Sequence, residues 1–78
     1  MKKKREDIKT FLRKLEKELE LKENILEPNL NLKDAQFWDS LLTMNLIFYF
    51  DSEYSINIQA EEISNFSTPK DIYKRIFQ

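Results

Sequence analysis

The side chains that most often perform catalysis are missing from this sequence. Its 78 residues include no cysteine and no histidine, which excludes thiolate nucleophiles, disulfides, zinc sites built from those residues and histidine acid–base catalysis. Ser40 is a hydroxyl whose position could support chemistry, because it follows Asp39 at the predicted start of a helix. Without a histidine as base, Ser40 cannot run a serine–histidine mechanism. We therefore predict a protein that is not an enzyme, has no metal site and works as a module on which other proteins act, or as a binder.

The predicted position of Ser40 favours an anion. The first turn of a helix presents free backbone N–H groups and the positive end of the helix dipole, and both stabilise a phosphate attached to the serine oxygen. The simpler alternative is that Asp39 and Ser40 only start the helix, since both residue types are favoured there. The surrounding sequence has to decide between these interpretations.

Charge is divided unevenly along the chain, although the formal net charge is only −1. Residues 1–22 carry nine Lys or Arg against five Asp or Glu, whereas residues 23–78 carry four against nine. No basic residue lies between Lys33 and Lys70. The segment that contains Ser40 is therefore acidic, which suits partners with basic docking surfaces.

Composition places the chain among small soluble domains. A charged fraction of 35% and a mean hydropathy of −0.63 exclude a membrane-spanning protein, and the length allows one domain with a small core. The basic start is followed by a charged amphipathic segment and not by the apolar core of a signal peptide, so we predict a cytoplasmic protein. Lys and Glu alternate in that segment, which argues against nucleic acid or a membrane as a partner.

Apolar spacing predicts an all-α fold. The first helix is predicted over 7–23, because apolar residues recur at helical intervals between Ile8 and Leu19. A long connection over 24–39 follows, which contains Pro28 and scattered apolar residues without a clean period. We expect some of these residues to anchor the connection in the core.

The second half of the chain predicts three more helices. The stretch 40–54 has strand-like propensity, but it is long for a strand, has no Gly or Pro and is apolar on most faces, as in a central helix. A short helix is predicted over 60–64. Thr68-Pro69-Lys70-Asp71 offers a hydroxyl N-cap, a proline at the first helical position and a following acid, which predicts a last helix over 69–77. Together these elements describe an irregular up-down four-helix bundle with a long first loop and a short third helix, in one domain over 1–78.

The tripeptide Asp39-Ser40-Leu41 resembles the attachment motif of acyl carrier proteins and of the related peptidyl carriers. The similarity runs without a gap through most of 37–77. With Trp38 before it, the motif is more similar to that of stand-alone carriers of specialised pathways than to that of the housekeeping fatty-acid carrier. The other matching positions are Met44, Leu46, Ile47, Phe50, Asp51, Glu53, Tyr54, Ile56, Asn57, Ile58, Glu61, Glu62, Phe66, Ser67, Thr68, Ile72 and Ile76.

The resemblance implies a covalent cofactor. In the family, the serine equivalent to Ser40, flanked by Asp39 and Leu41, receives 4′-phosphopantetheine from coenzyme A through a phosphopantetheinyl transferase that uses magnesium. The thiol of this arm carries acyl or aminoacyl groups as thioesters, here for a fatty-acid, polyketide or other specialised pathway. The further partners implied are ligases and transferases with basic docking surfaces, and the chain is expected to be a monomer with the carrier-type bundle.

The resemblance also implies two groups of contact residues, one for partner enzymes and one that shelters an acyl chain between the helices. Helical geometry itself places Leu41, Met44 and Phe48 within about 100° of Ser40. The alternatives are that these apolar residues belong to the core and that the acids form a solvated face. The implied partner-binding residues are Leu41, Met44, Phe48, Asp51, Glu53, Glu61 and Glu62, and the implied acyl pocket is Leu46, Ile47, Phe50, Ile58, Ile63, Phe66 and Ile72.

The chain also departs from the family pattern. The usual glycine before the motif is missing, with Phe37 and Trp38 in its place, and Leu42 and Asn45 stand where many fatty-acid carriers have acids. This dilutes the acidic face, so we expect a dedicated transferase or ligase. The alternative from another class is an unmodified helical interaction module, regulatory or antitoxin-like, that uses the same apolar face of the second helix.

Overall fold

Four α-helices account for the regular structure of residues 6–77, the part of the chain that the computed structural model describes. They are α1 (Ile8–Glu18), α2 (Ser40–Tyr54), α3 (Ala60–Ser64) and α4 (Pro69–Phe77), with a 3₁₀ turn at Leu32–Asp34 between α1 and α2. Within this range there are no strands, so the all-α prediction is confirmed. The basic run at 1–5 and the final residue, 78, lie outside the described residues.

Helix α1 begins where an aspartate accepts a backbone hydrogen bond. The Asp7 carboxylate accepts from the Thr10 backbone N–H at 2.8 Å, which satisfies one of the unpaired donors of the first turn. Hydrogen bonds from the Thr10 side chain and backbone hold the pKa of Asp7 below its ordinary value. The helix buries Phe11, Leu12 and Leu15 on one face, as the apolar spacing predicts.

The predicted end of α1 is wrong, because the helix stops at Glu18 and not near residue 23. The chain leaves the helix through Glu20, which lies in the left-handed region at φ 57. Across this residue the Leu21 N–H donates to the Glu16 carbonyl at 2.8 Å, the pattern of a Schellman motif. Glycine usually marks that position, and this chain contains none.

A buried ion pair holds the chain that follows α1. Glu16 is only 2% exposed, and its carboxylate accepts from the backbone N–H groups of Asn24 at 2.9 Å and Leu26 at 2.7 Å. Arg13 donates from Nη2 to the same carboxylate at 2.8 Å and to the Leu26 carbonyl at 3.0 Å. The pair folds the chain back against α1 and places Leu26, which is fully buried, in the core.

The long first connection packs into the molecule as predicted. Leu26 and Leu32 are both buried in the core cluster. Backbone hydrogen bonds tie the connection to the start of α4, from Leu32 N to Ser67 O at 2.9 Å and from Lys70 N to Pro28 O at 3.1 Å. The segment before Ser40 is therefore fixed at several points.

The predicted bounds of the other three helices agree with the structure. At the start of α4, the Asp71 carboxylate accepts from the backbone N–H groups of Ser67 at 2.9 Å and Thr68 at 3.1 Å. These bonds contribute to holding the pKa of Asp71 below its ordinary value, and they supply the acidic half of the predicted capping box. Helix α2 ends at Tyr54 and is followed by its C-cap Ser55, a left-handed residue with φ 56.

The core joins α1, α2 and α4 through aromatic rings. Phe11 of α1 stacks on Phe50 of α2, with 6.3 Å between ring centroids, and meets Phe77 of α4 edge-on at 5.5 Å. The radius of gyration is 11.6 Å, in keeping with a compact chain of this length. In the part of the chain that the structure describes, every helix is too short or too polar to span a membrane.

Candidate functional site

Ser40 is the first residue of α2 and is exposed to solvent. The neighbouring Asp39 carboxylate accepts from the Leu42 backbone N–H at 2.9 Å and so caps the helix. The Ser40 carbonyl accepts from the Thr43 hydroxyl at 3.0 Å. The cap therefore comes from Asp39, and the exposed Ser40 side chain lies at the positive end of a helix of 15 residues.

Three large apolar side chains lie exposed on α2. They are Leu41, 70% exposed, Met44, 55% exposed, and Phe48, 66% exposed, and we call them the exposed strip. Because residues three and four apart share a helix face, the strip runs continuously from Ser40 along the helix. The alternative that these three residues belong to the core is excluded by their exposure.

The buried face of α2 is formed by Leu42, Leu46 and Phe50. The apolar residues of α2 therefore divide between the core and solvent. Since nothing among the described residues covers the exposed strip, its apolar area is open to a partner.

The predicted acidic contacts fall into two environments. Asp51 and Glu61 are exposed, whereas Glu53 and Glu62 are half-buried. The Glu62 carboxylate forms an ion pair with Arg75 Nε of α4. Glu62 therefore has a structural partner, which leaves Asp51 and Glu61 as the more accessible of the four predicted acids.

The residues of the predicted acyl pocket come together in the core. Phe66 is 8% exposed, and the other five buried members are no more than 1% exposed, while Ile47 is half-buried and packs against the cluster. They form a shared apolar wall, and its role as an acyl pocket stays a prediction. The six buried members are Leu46, Phe50, Ile58, Ile63, Phe66 and Ile72.

Sequence reasoning missed a hollow of about 470 Å³ beside the exposed strip. We call it the α1–α2 hollow, because the end of α1 and the middle of α2 form its walls. Burial is the main cause that raises the pKa of the Tyr49 phenol in this hollow. The hollow could not be anticipated, because the true end of α1 decides which residues of α1 face α2. Its lining residues are Glu18, Leu19, Asn45, Phe48, Tyr49, Ser52 and Glu53.

Residues 6–77 contain no group of three acidic side chains that could hold a metal ion. The prosthetic group implied by the sequence requires only one hydroxyl for its attachment. Ser40 meets that requirement, because it is exposed at the start of a capped helix and Asp39, not Ser40, provides the cap. The residues present therefore fit a phosphodiester at this position.

We compared the chain with protein-family models, with curated proteins and with solved structures, and none of the three comparisons gives a match.

Proposed function

We propose that this chain is an acyl carrier protein whose Ser40 bears 4′-phosphopantetheine and which delivers acyl or aminoacyl thioesters to partner enzymes. The observation that carries the proposal is the exposed Ser40 at the start of α2, directly followed by the exposed strip. A modification enzyme needs access to the hydroxyl and an adjacent surface on which to dock. This part of α2 provides both.

The chemistry of the chain is compatible with a passive carrier. The helix dipole and the first-turn N–H groups stabilise the negative charge of a phosphodiester on the Ser40 oxygen. When bound, the arm supplies the thiol that this sequence lacks. The base and the metal for attachment come from the transferase, since the chain has no histidine to activate Ser40.

We extend the proposal to the arrangement of the helices and to the setting of the protein. An up-down bundle of the carrier type is supported by the bounds of α2, α3 and α4 and by the long connection before α2. The core wall that lines α2 is the proposed shelter for an acyl chain. We further propose that the protein works as a monomer in the cytoplasm, in a fatty-acid, polyketide or other specialised pathway.

Docking by partner enzymes follows from the surface around Ser40. The exposed strip offers apolar contacts, and Asp51 and Glu61 offer negative charge to ligases and transferases with basic docking surfaces. Glu53 and Glu62 contribute less directly, since both are half-buried and Glu62 is paired with Arg75.

A second candidate function uses the same strip without modification. Three large apolar side chains exposed along one helix also suit a helical interaction module that binds a protein partner through them. The two functions differ at Ser40, which is essential to the carrier and only a surface residue in the interaction module.

Intact-protein mass spectrometry tests the proposal. The purified chain is incubated with coenzyme A, magnesium and a phosphopantetheinyl transferase of broad specificity. We expect a gain of one phosphopantetheine group, located on Ser40 by fragmentation and abolished in Ser40→Ala. Ser64→Ala is the matched control, because Ser64 is another exposed serine within a helix, and it should be loaded like the wild type. An unchanged mass with several transferases would contradict the carrier function and favour the interaction module.

A further inference from the structure

We infer that the enzyme that loads Ser40 docks across the α1–α2 hollow as well as the exposed strip, and that one of its Lys or Arg side chains enters the hollow and pairs with Glu18. The inference deepens the proposed function and rests on it. It adds α1 to a docking surface that the sequence placed on α2 and α3, and it names a specificity residue that no motif indicates.

Ser40 and the hollow are close enough for one partner to contact both. Phe48 belongs to the strip and also lines the hollow. It follows Ser40 by eight positions, which is about 12 Å along a helix at a rise of 1.5 Å per residue. A standard interface buries about 800 Å² on each partner, equivalent to a disc of roughly 16 Å radius. An enzyme centred on the Ser40 hydroxyl therefore reaches Phe48, the residue that the strip shares with the hollow.

The lining of the hollow matches a long cationic side chain. Leu19, Phe48 and Tyr49 offer apolar and aromatic surface on which the methylene stem of Lys or Arg packs. Glu18 and Glu53 add two carboxylates, and among the described residues no basic side chain belongs to the lining. Polar side chains from Asn45 and Ser52 complete it. This combination gives the hollow a negative charge next to an apolar contact.

Lys14 of α1, whose charge acts on Tyr49 and Glu53 of the hollow, has a partner of its own. Its Nζ lies 2.5 Å from the Glu6 carboxylate, and this hydrogen bond is the main cause that raises the pKa of Lys14. Glu18 is exposed in the last turn of α1, so it can meet a charge that arrives from outside. The hollow thus has charge complementarity with a basic partner at Glu18.

The test compares two charge reversals in the loading reaction. Glu18→Lys places a positive charge in the hollow, and Glu23→Lys makes the same change at an exposed acid beyond the end of α1 that does not line the hollow. A lysine in the last turn of α1 also suits the helix dipole. The midpoint temperature of thermal unfolding should therefore be unchanged or slightly higher in Glu18→Lys. The measured quantities are kcat and KM for loading by the transferase used above, at low and high salt.

We expect KM to rise about tenfold for Glu18→Lys, with kcat nearly unchanged, because a docking contact turns into repulsion. Glu23→Lys should load like the wild type, and high salt should reduce the difference. Equal KM values for the two variants, with the wild type loaded normally, would overturn the inference and leave the carrier function intact. If the wild type is not loaded at all, the result would contradict the carrier function and, with it, the inference.

Discussion

Helices α1 and α2 place their apolar residues in opposite ways. Helix α1 buries its apolar face and exposes charged residues elsewhere, and its one buried charge, Glu16, is paired with Arg13. Helix α2 buries one row of apolar residues and leaves a second row, the exposed strip, in water. The buried residues of α1 account for its apolar face, whereas three large apolar residues of α2, Leu41, Met44 and Phe48, lie outside the core.

The difference identifies the exposed strip as apolar surface that the core does not use. Burial of a large apolar side chain contributes about 1.5–3 kcal/mol to the free energy of folding, and the three residues of the exposed strip do not contribute in this way. Single exposed apolar residues are common, whereas a continuous row of them is typical of an interaction surface. The strip is therefore not part of the core that stabilises the fold, and in the proposed function it is the surface that a partner enzyme contacts.

The largest effect should separate the two faces of α2. Phe50 is fully buried and Phe48 is 66% exposed, two residues apart on the same helix. Phe50→Ala should lower the free energy of unfolding by about 4 kcal/mol, and Phe48→Ala should change it by less than about 0.5 kcal/mol. Urea unfolding followed by circular dichroism measures both.

Phe50→Leu keeps this comparison measurable if Phe50→Ala does not fold, since it should cost only about 1 kcal/mol. The exposed variant Phe48→Ala should instead weaken loading of Ser40. A loss of stability from Phe48→Ala as large as that from Phe50→Ala would show that the strip is part of the core, which would contradict the division of α2.

The buried pair of α1 should give the next largest effect. Glu16→Ala removes the acceptor of the Asn24 and Leu26 N–H groups and leaves the Arg13 guanidinium without its carboxylate. We expect a loss of about 3 kcal/mol in the free energy of unfolding. Hydrogen exchange at the Leu26 N–H should also become faster, because the chain after α1 loses its attachment.

Glu18→Ala is the control for this change, since Glu18 is an exposed acid on the same helix and should alter the free energy of unfolding by less than about 0.5 kcal/mol. For Glu16→Gln, the loss in the free energy of unfolding should fall between those of Glu16→Ala and Glu18→Ala, because the amide retains one acceptor oxygen. If Glu16→Ala and Glu18→Ala had the same small effect, the buried pair would not hold the connection in place.

The boundary of α1 shows where the sequence signals were insufficient. The starts of α2 and α4 were predictable because Asp39 and Pro69 mark them. The end of α1 has no glycine or proline to mark it. The chain after α1 is held by hydrogen bonds that the Glu16 carboxylate accepts from backbone N–H groups eight and ten residues later, and this contact has no signature in the spacing of apolar residues.

The candidate site was predictable to a similar degree. Helical geometry placed Leu41, Met44 and Phe48 on the face of Ser40, and all three are exposed. Spacing could not decide whether this face was core or surface, because that depends on which helices pack against α2. The α1–α2 hollow was out of reach for the same reason, since it forms only where the end of α1 meets α2.

The smallest effect concerns the helix cap beside Ser40. Asp39→Ala removes the acceptor of the Leu42 N–H and should lower the free energy of unfolding by about 1 kcal/mol, whereas Asp39→Asn should retain most of the stability, because asparagine caps helices equally well. Thermal unfolding compares both with Asp51→Ala, an exposed change on the same helix that should have almost no effect.

The two Asp39 variants also distinguish a capping role of Asp39 from a direct contact with the transferase. If Asp39 acts only by fixing the first turn of α2, Asp39→Asn should load Ser40 at the wild-type rate and Asp39→Ala more slowly. Slower loading of Asp39→Asn at unchanged stability would assign the Asp39 charge a direct contact with the transferase. The start of α2 would then belong to the functional half of this helix, together with the exposed strip.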